Sequence, residues 1–184
     1  MKNSNHRSLW TKIMVVLGSL GLLVGALDPL EGSVVILAGS GLLALGTWLG
    51  RAESRLIRYR TLVFILIAFG VGAMFGLSAI GGLGGKSGHS MWWGVLILPY
   101  LIGWSLGIWG PGNPRWVLGS GIVVGLWYLT LGGIALSGHR MAGDWALAAV
   151  MWTVGLSTIA GCVIRLVMAH RKLPTPEAPV TSAG

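Results

Sequence analysis

The chain has 184 residues, of which 54% are hydrophobic and 10% charged, with 13 Lys and Arg against 5 Asp and Glu. A globular domain bathed in water needs far more charge to cover its surface, so this composition points to an all-α, polytopic membrane protein. The single Cys162 excludes an internal disulfide and a cysteine-based metal cluster.

A crossing of ~30 Å of hydrocarbon takes about 20 apolar residues. Six runs meet that description, at 10–27, 30–49, 61–80, 91–109, 115–136 and 145–167, and short connections make them three hairpins. The first run begins under Lys2, Arg7 and Lys12, a start that also suits a cleaved signal peptide. Its apolar core is long and the site after Ala26 is a poor cleavage match, so we read it as a span with Lys12 snorkelling to the interface. Asp28-Pro29-Leu30-Glu31 reads as a capped start of the second span.

The turn at 51–60 carries Arg51, Arg55, Arg58 and Arg60 and reads as a loop in contact with lipid head groups, each cation worth about 1 kcal/mol there. A glycine-rich turn holding Lys86, Ser87 and His89 then leads to Trp92 and Trp93. In the fourth run Pro99 removes a backbone donor and is expected to kink a helix near Tyr100. Asn113-Pro114 is expected to open the fifth span, and Asp144 to offset the dipole of the sixth. Residues 1–172 thus form one bundle, and 173–184, with three prolines and little charge, a disordered tail.

Eleven of the 13 basic residues fall on the side of the N-terminus and only Lys86 and Arg140 on the other. That bias puts both termini in the cytoplasm, as in a bacterial-type inner membrane. It also accounts for the net charge of +8 without nucleic acid as a partner. Gly21/Gly25, Gly46/Gly50, Gly72/Gly76, Gly103/Gly107 and Gly121/Gly125 each place two glycines on one helix face, the pattern of close helix contact in lipid. Of the 10 tryptophans, Trp104, Trp127 and Trp152 lie deep in their spans, to line a cavity or face lipid; the others sit near span ends, where amphipathic rings favour the interface.

Ser87-Gly88-His89-Ser90-Met91 is echoed 50 residues on by Ser137-Gly138-His139-Arg140-Met141. With Gly82/Gly132 and Leu106/Leu156 at the same offset, the second and third hairpins read as a duplication. The candidate ligand-binding residues follow: Ser87, His89, Trp92, Trp93, Ser137, His139 and Asp144, gathered at one outer surface. Two histidines would suffice to ligate one b-type haem or a metal between hairpins, but nothing else in the sequence demands a cofactor, and none is assigned.

Lys86-Ser87-Gly88-His89 resembles part of the P-S-G-H motif of the type-2 phosphatidate phosphatases, six-span enzymes acting on lipid phosphates at the outer face. The resemblance implies His89 as general acid and His139 with Asp144 as the later nucleophile pair. It covers four residues; the motif's proline, the Ser-Arg dipeptide and the K-x6-R-P element are absent, and the His139–Asp144 spacing is one residue too long. With Lys86 and Arg140 alone outside, the cationic clamp that phosphoryl transfer needs is missing. Gly76-Leu77-Ser78 resembles the serine segment of rhomboid proteases, yet Ala79 replaces the following glycine and no late span holds a histidine partner. Gly85-Lys86-Ser87 resembles the end of a phosphate loop, with Ile80 where the first glycine is required.

No span carries an ionisable residue near its midplane, the usual mark of an ion or proton path. The expected role is therefore a non-catalytic accessory, assembly or scaffold subunit, its partners the bilayer and other membrane subunits or copies of itself. An outer-face enzyme or cofactor protein using His89 and His139 is the alternative, and a carrier of a neutral or lipid-like solute the third reading.

Overall fold

The structure is a computed structural model that describes residues 3–28, 31–82, 91–137 and 144–171. Helix α1 (Asn3–Gly25) is followed by α2 (Ser33–Leu49) and α3 (Ser54–Ala79). A 3₁₀ helix (Met91–Ile97) then runs into α4 (Leu98–Trp109), ahead of α5 (Arg115–Ser137) and α6 (Asp144–Arg171); no strand occurs among the described residues. Ser54–Ala79, Arg115–Ser137 and Ala148–Arg171 are long and apolar enough to cross a membrane, whereas Leu9–Gly25, Ser33–Leu49 and Trp93–Trp109 are shorter apolar helices. The tail at 173–184 lies outside the described residues.

The helices pair as antiparallel hairpins, and glycines set the closeness of each pair. A Cβ placed on Gly39 would lie 2.8 Å from the Gly18 carbonyl oxygen and 3.0 Å from the Leu22 nitrogen, so α2 meets the bare backbone of α1. Gly25 opposes Gly32 and Ile36 farther along, and Gly50 opposes Thr11 at the other end. In the second hairpin Gly70 lies against the backbone of Tyr100, and Gly103 against Leu66 and Ile67. In the third, a Cβ placed on Gly125 would lie 2.9 Å from the Gly155 carbonyl oxygen, and one on Gly155 2.7 Å from that of Gly125. Lipid offers no hydrophobic drive between helices, so such contact supplies dispersion energy that side chains held farther apart would forfeit.

Trp104 joins the three hairpins. Only 1% of it is exposed. Its Nε1 donates to the Leu22 carbonyl of α1 at 3.2 Å, and its ring lies 5.2 Å from that of Tyr128 on α5, tilted by 32°. The indole therefore neither lines a cavity nor faces lipid. Leu22, Ile36, Ile67, Ile108, Val117 and Cys162 close the core around it.

The local signals in the turns resolve differently from the sequence expectation. Helix α2 starts at Ser33 behind Gly32, with no side-chain cap, and Asp28 Oδ1 accepts from the Glu31 amide at 3.2 Å. Asp28 thus closes a turn and caps no helix. Pro99 occupies the first turn of α4, where its missing N–H is one that has no helical partner anyway, so it marks the change from 3₁₀ to α instead of kinking a continuous helix. The 3₁₀ rise of about 2 Å per residue stretches the segment from Met91 to Trp109 to about 32 Å.

Helix α2 ends with Arg51 at φ 49°, its amide on the Trp48 carbonyl and the Ala52 amide on that of Thr47. That position usually holds glycine, as Gly81 does at the end of α3. Two of the pairs at the 50-residue offset do not fall at equivalent places, and the S-G-H-x-M pair lies mostly outside the described residues. Gly82 lies past the end of α3 with φ 82° while Gly132 is inside α5 against Trp152, and Leu106 packs on the core while Leu156 is exposed.

If backbone contact at Gly39 holds the first hairpin, Gly39→Val forces α1 and α2 apart and costs about 1–3 kcal/mol in detergent unfolding equilibria. Gly119→Ala, where nothing among the described residues lies within 4 Å, is expected not to lower the midpoint.

Candidate functional site

The alternating hairpins bring every Lys and Arg among the described residues towards one end of the bundle, where α1, α3 and α5 begin and α2, α4 and α6 finish. Three arginines there lie in the first two turns of α3, separated by the helix's 100° step. Arg55 and Arg58 share a face and are exposed, whereas Arg60 falls on the opposite face and is only 5% exposed. Arg60 is therefore not part of a lipid-contacting loop, as the run of arginines suggested. It sits under the turn between α4 and α5.

Arg60 Nη2 donates to the Gly112 carbonyl at 3.1 Å and to Asn113 Oδ1 at 3.3 Å. Asn113 Nδ2 donates in turn to the carbonyls of Gly107 and Ile108, at 2.7 and 2.6 Å. The Tyr59 hydroxyl donates to the Leu106 carbonyl at 2.8 Å. These three carbonyls belong to the last turn of α4, which has no helical donors of its own. Asn113 thus caps the end of α4 and does not open α5; that role falls to Pro114, whose carbonyl accepts from Val117 at 3.1 Å and Leu118 at 3.5 Å.

The guanidinium also places positive charge against the negative end of the α4 dipole. Its Nη1 is buried with no hydrogen-bond partner among the described residues. Beside it, Ser40, Tyr59 and Asn113 help to line a cavity of ≈ 10 Å³, on the scale of one water. This knot is a structural latch across α3, α4 and α5, with no room for a substrate.

Larger depressions open on the surface of the described residues. One, ≈ 440 Å³, runs between α4 and α6 past Leu98, Ile102, Trp109, Val150 and Val154. Thr153 and Ser157 in it donate to the carbonyls of Ala149 and Val154, at 2.7 and 3.0 Å, so the slot is hydrocarbon in character. Another, ≈ 480 Å³, lies at the basic end and is lined by Arg115, Leu166, Val167, His170 and Arg171. No sequence reasoning singled out this groove, because Arg115 and Arg171 stand 56 positions apart and only the pairing of α5 with α6 brings them together.

Of the residues expected to form a site, Ser87, His89 and His139 lie outside the described residues, as does the side chain of Trp92. Trp93 is exposed on the 3₁₀ helix. Ser137 ends α5 with its Oγ donating to the Ile134 carbonyl at 2.9 Å, and Asp144 begins α6. Among the described residues no group of three or more His, Cys, Asp or Glu could hold a metal ion. No family model, no curated protein and no solved structure matches the chain.

Removing the α4 cap should be costly. Asn113→Ala leaves two carbonyls and one guanidinium nitrogen short of partners, for an expected loss of about 1–3 kcal/mol. Tyr59→Phe, which removes one donor, is expected to lose about 0.5–1.5 kcal/mol. Chemical unfolding of both variants in the same detergent should reproduce that order.

Proposed function

We propose that the chain is a six-span protein of a bacterial-type inner membrane, with both termini cytoplasmic, and that its role is non-catalytic. It acts as a small accessory, assembly or scaffold subunit that docks against another membrane protein or another copy of itself. The observation that carries this reading is the unequal use of the glycine pairs. Gly21/Gly25, Gly46/Gly50, Gly103/Gly107 and Gly121/Gly125 all meet neighbouring helices of the same chain. Among the described residues nothing lies within 4 Å of a Cβ placed on Gly72 or Gly76.

On α3 these two glycines form an open notch, with Ala79 continuing their face and the exposed rings of Phe69 and Phe75 on either side. Such a notch admits a second helix to backbone distance, the way small residues are used wherever membrane helices associate. A lipid chain gains little from it. The gathering of described basic residues at one end supports cytoplasmic termini. The about 32 Å length of the fourth segment supports a sixth crossing despite its short α-helical part.

Gly72→Leu with Gly76→Leu should leave the isolated chain folded, since no described atom lies within 4 Å of either Cβ position. The same pair should abolish stoichiometric co-purification or self-association, read by light scattering in detergent. Unchanged assembly would refute docking through α3. Orientation is tested separately in a Cys162→Ser background. An impermeant maleimide added to intact cells should label Ile80→Cys and spare Ser54→Cys.

A further inference from the structure

We propose that the groove lined by Arg115, Leu166, Val167, His170 and Arg171 binds the phosphate-bearing headgroup of an anionic phospholipid. The groove is built from two helix ends. Arg115 is the first residue of α5, while His170 and Arg171 occupy the last turn of α6. Its volume of ≈ 480 Å³ lies within the roughly 300–1,000 Å³ typical of small-ligand sites. None of the described residues that line it is acidic.

The electrostatics favour an anion. The start of α5 contributes the partial positive end of its helix dipole. The end of α6 contributes the opposite sign, but two full guanidinium charges in the same groove outweigh that fraction of a charge. A guanidinium presents paired donors that match two phosphate oxygens, and two of them can hold one phosphate from both sides.

The remaining walls point to a lipid as the bearer of that phosphate. Leu166 and Val167 continue the groove with hydrocarbon, and exposed Val163, Ile164 and Val167 lead along α6 into its apolar length. The ligand must therefore be charged where the helix ends and apolar one turn deeper. A free anion would leave the apolar wall unused. Basic grooves between membrane helices at the interface are suited to such headgroups, and two neighbouring cations add to the general attraction of the surface.

The test uses the full chain purified in detergent, titrated with phosphatidylglycerol, with phosphatidylcholine of the same acyl chains, and with inorganic phosphate. Retained lipid is measured by native mass spectrometry and the unfolding midpoint by a thermal scan. The expected result is retention of phosphatidylglycerol over phosphatidylcholine by about tenfold, falling towards parity in Arg115→Gln with Arg171→Gln. Arg55→Gln with Arg58→Gln makes the same change in net charge at the exposed face of α3 and should keep the preference. Both pairs replace exposed side chains, and an unchanged midpoint in phosphatidylcholine verifies that each variant is folded. Equal retention of the two lipids would overturn the proposal. So would equal loss in the two variants, which would indicate general surface charge, or stabilisation by inorganic phosphate matching that by phosphatidylglycerol, which would indicate a free-anion site.

Discussion

The approach of one bare helix backbone to another is the constraint on which this bundle depends. At Gly39 the distance to α1 leaves no space for a methyl group, and the same holds where Gly125 meets Gly155. In water a helix pair can be held by the expulsion of solvent from larger side chains. Inside a bilayer that term vanishes, and what remains is the density of atomic contact plus any polar group that finds a partner. Each hairpin is therefore closed by glycine first. Trp104 then reaches from α4 to the Leu22 carbonyl and the Tyr128 ring, so that one large side chain spans what the glycines have brought near.

The polar contacts of Tyr59, Arg60 and Asn113 lie where helices begin and end. The last turn of α4 has three carbonyls answered by side chains from outside it, through Tyr59 and Asn113, while Arg60 steadies Asn113. A buried cation is costly on its own, and hydrogen bonds to the Gly112 carbonyl and the Asn113 amide oxygen offset part of that cost. The same end of the bundle carries Arg115 and Arg171 on an open groove, exposed and without this architecture. Arginines near one surface thus divide into one that fixes the fold and others available to a partner.

Much of the organisation could be read from composition and local pattern. The six apolar runs fall close to the observed helices because hydropathy is a property of each residue and its neighbours. Cys162 and the glycine spacing were equally legible, and so was the separation of Arg60 from Arg55 and Arg58 by the helical step, although the arginine run obscured it. The candidate outer site was less accessible. It rested on His89 and His139, and these residues lie outside those described, so the histidine pairing adds nothing to the reading of the surface.

By itself the sequence determined that this is an apolar, helical, membrane-associated chain most of whose basic residues, all but Lys86 and Arg140, sit at alternate connections. Those features are local, carried by the composition and order of single segments. Only the tertiary structure decided which glycine pair remains open, that Asn113 serves the helix before it, that Arg60 is enclosed, and that Arg115 and Arg171 share a groove. Each of these depends on which faces of distant helices meet. A spacing of four names a face but not its neighbour, and in a chain with so many interchangeable small residues the neighbour is set by the fit of whole helices.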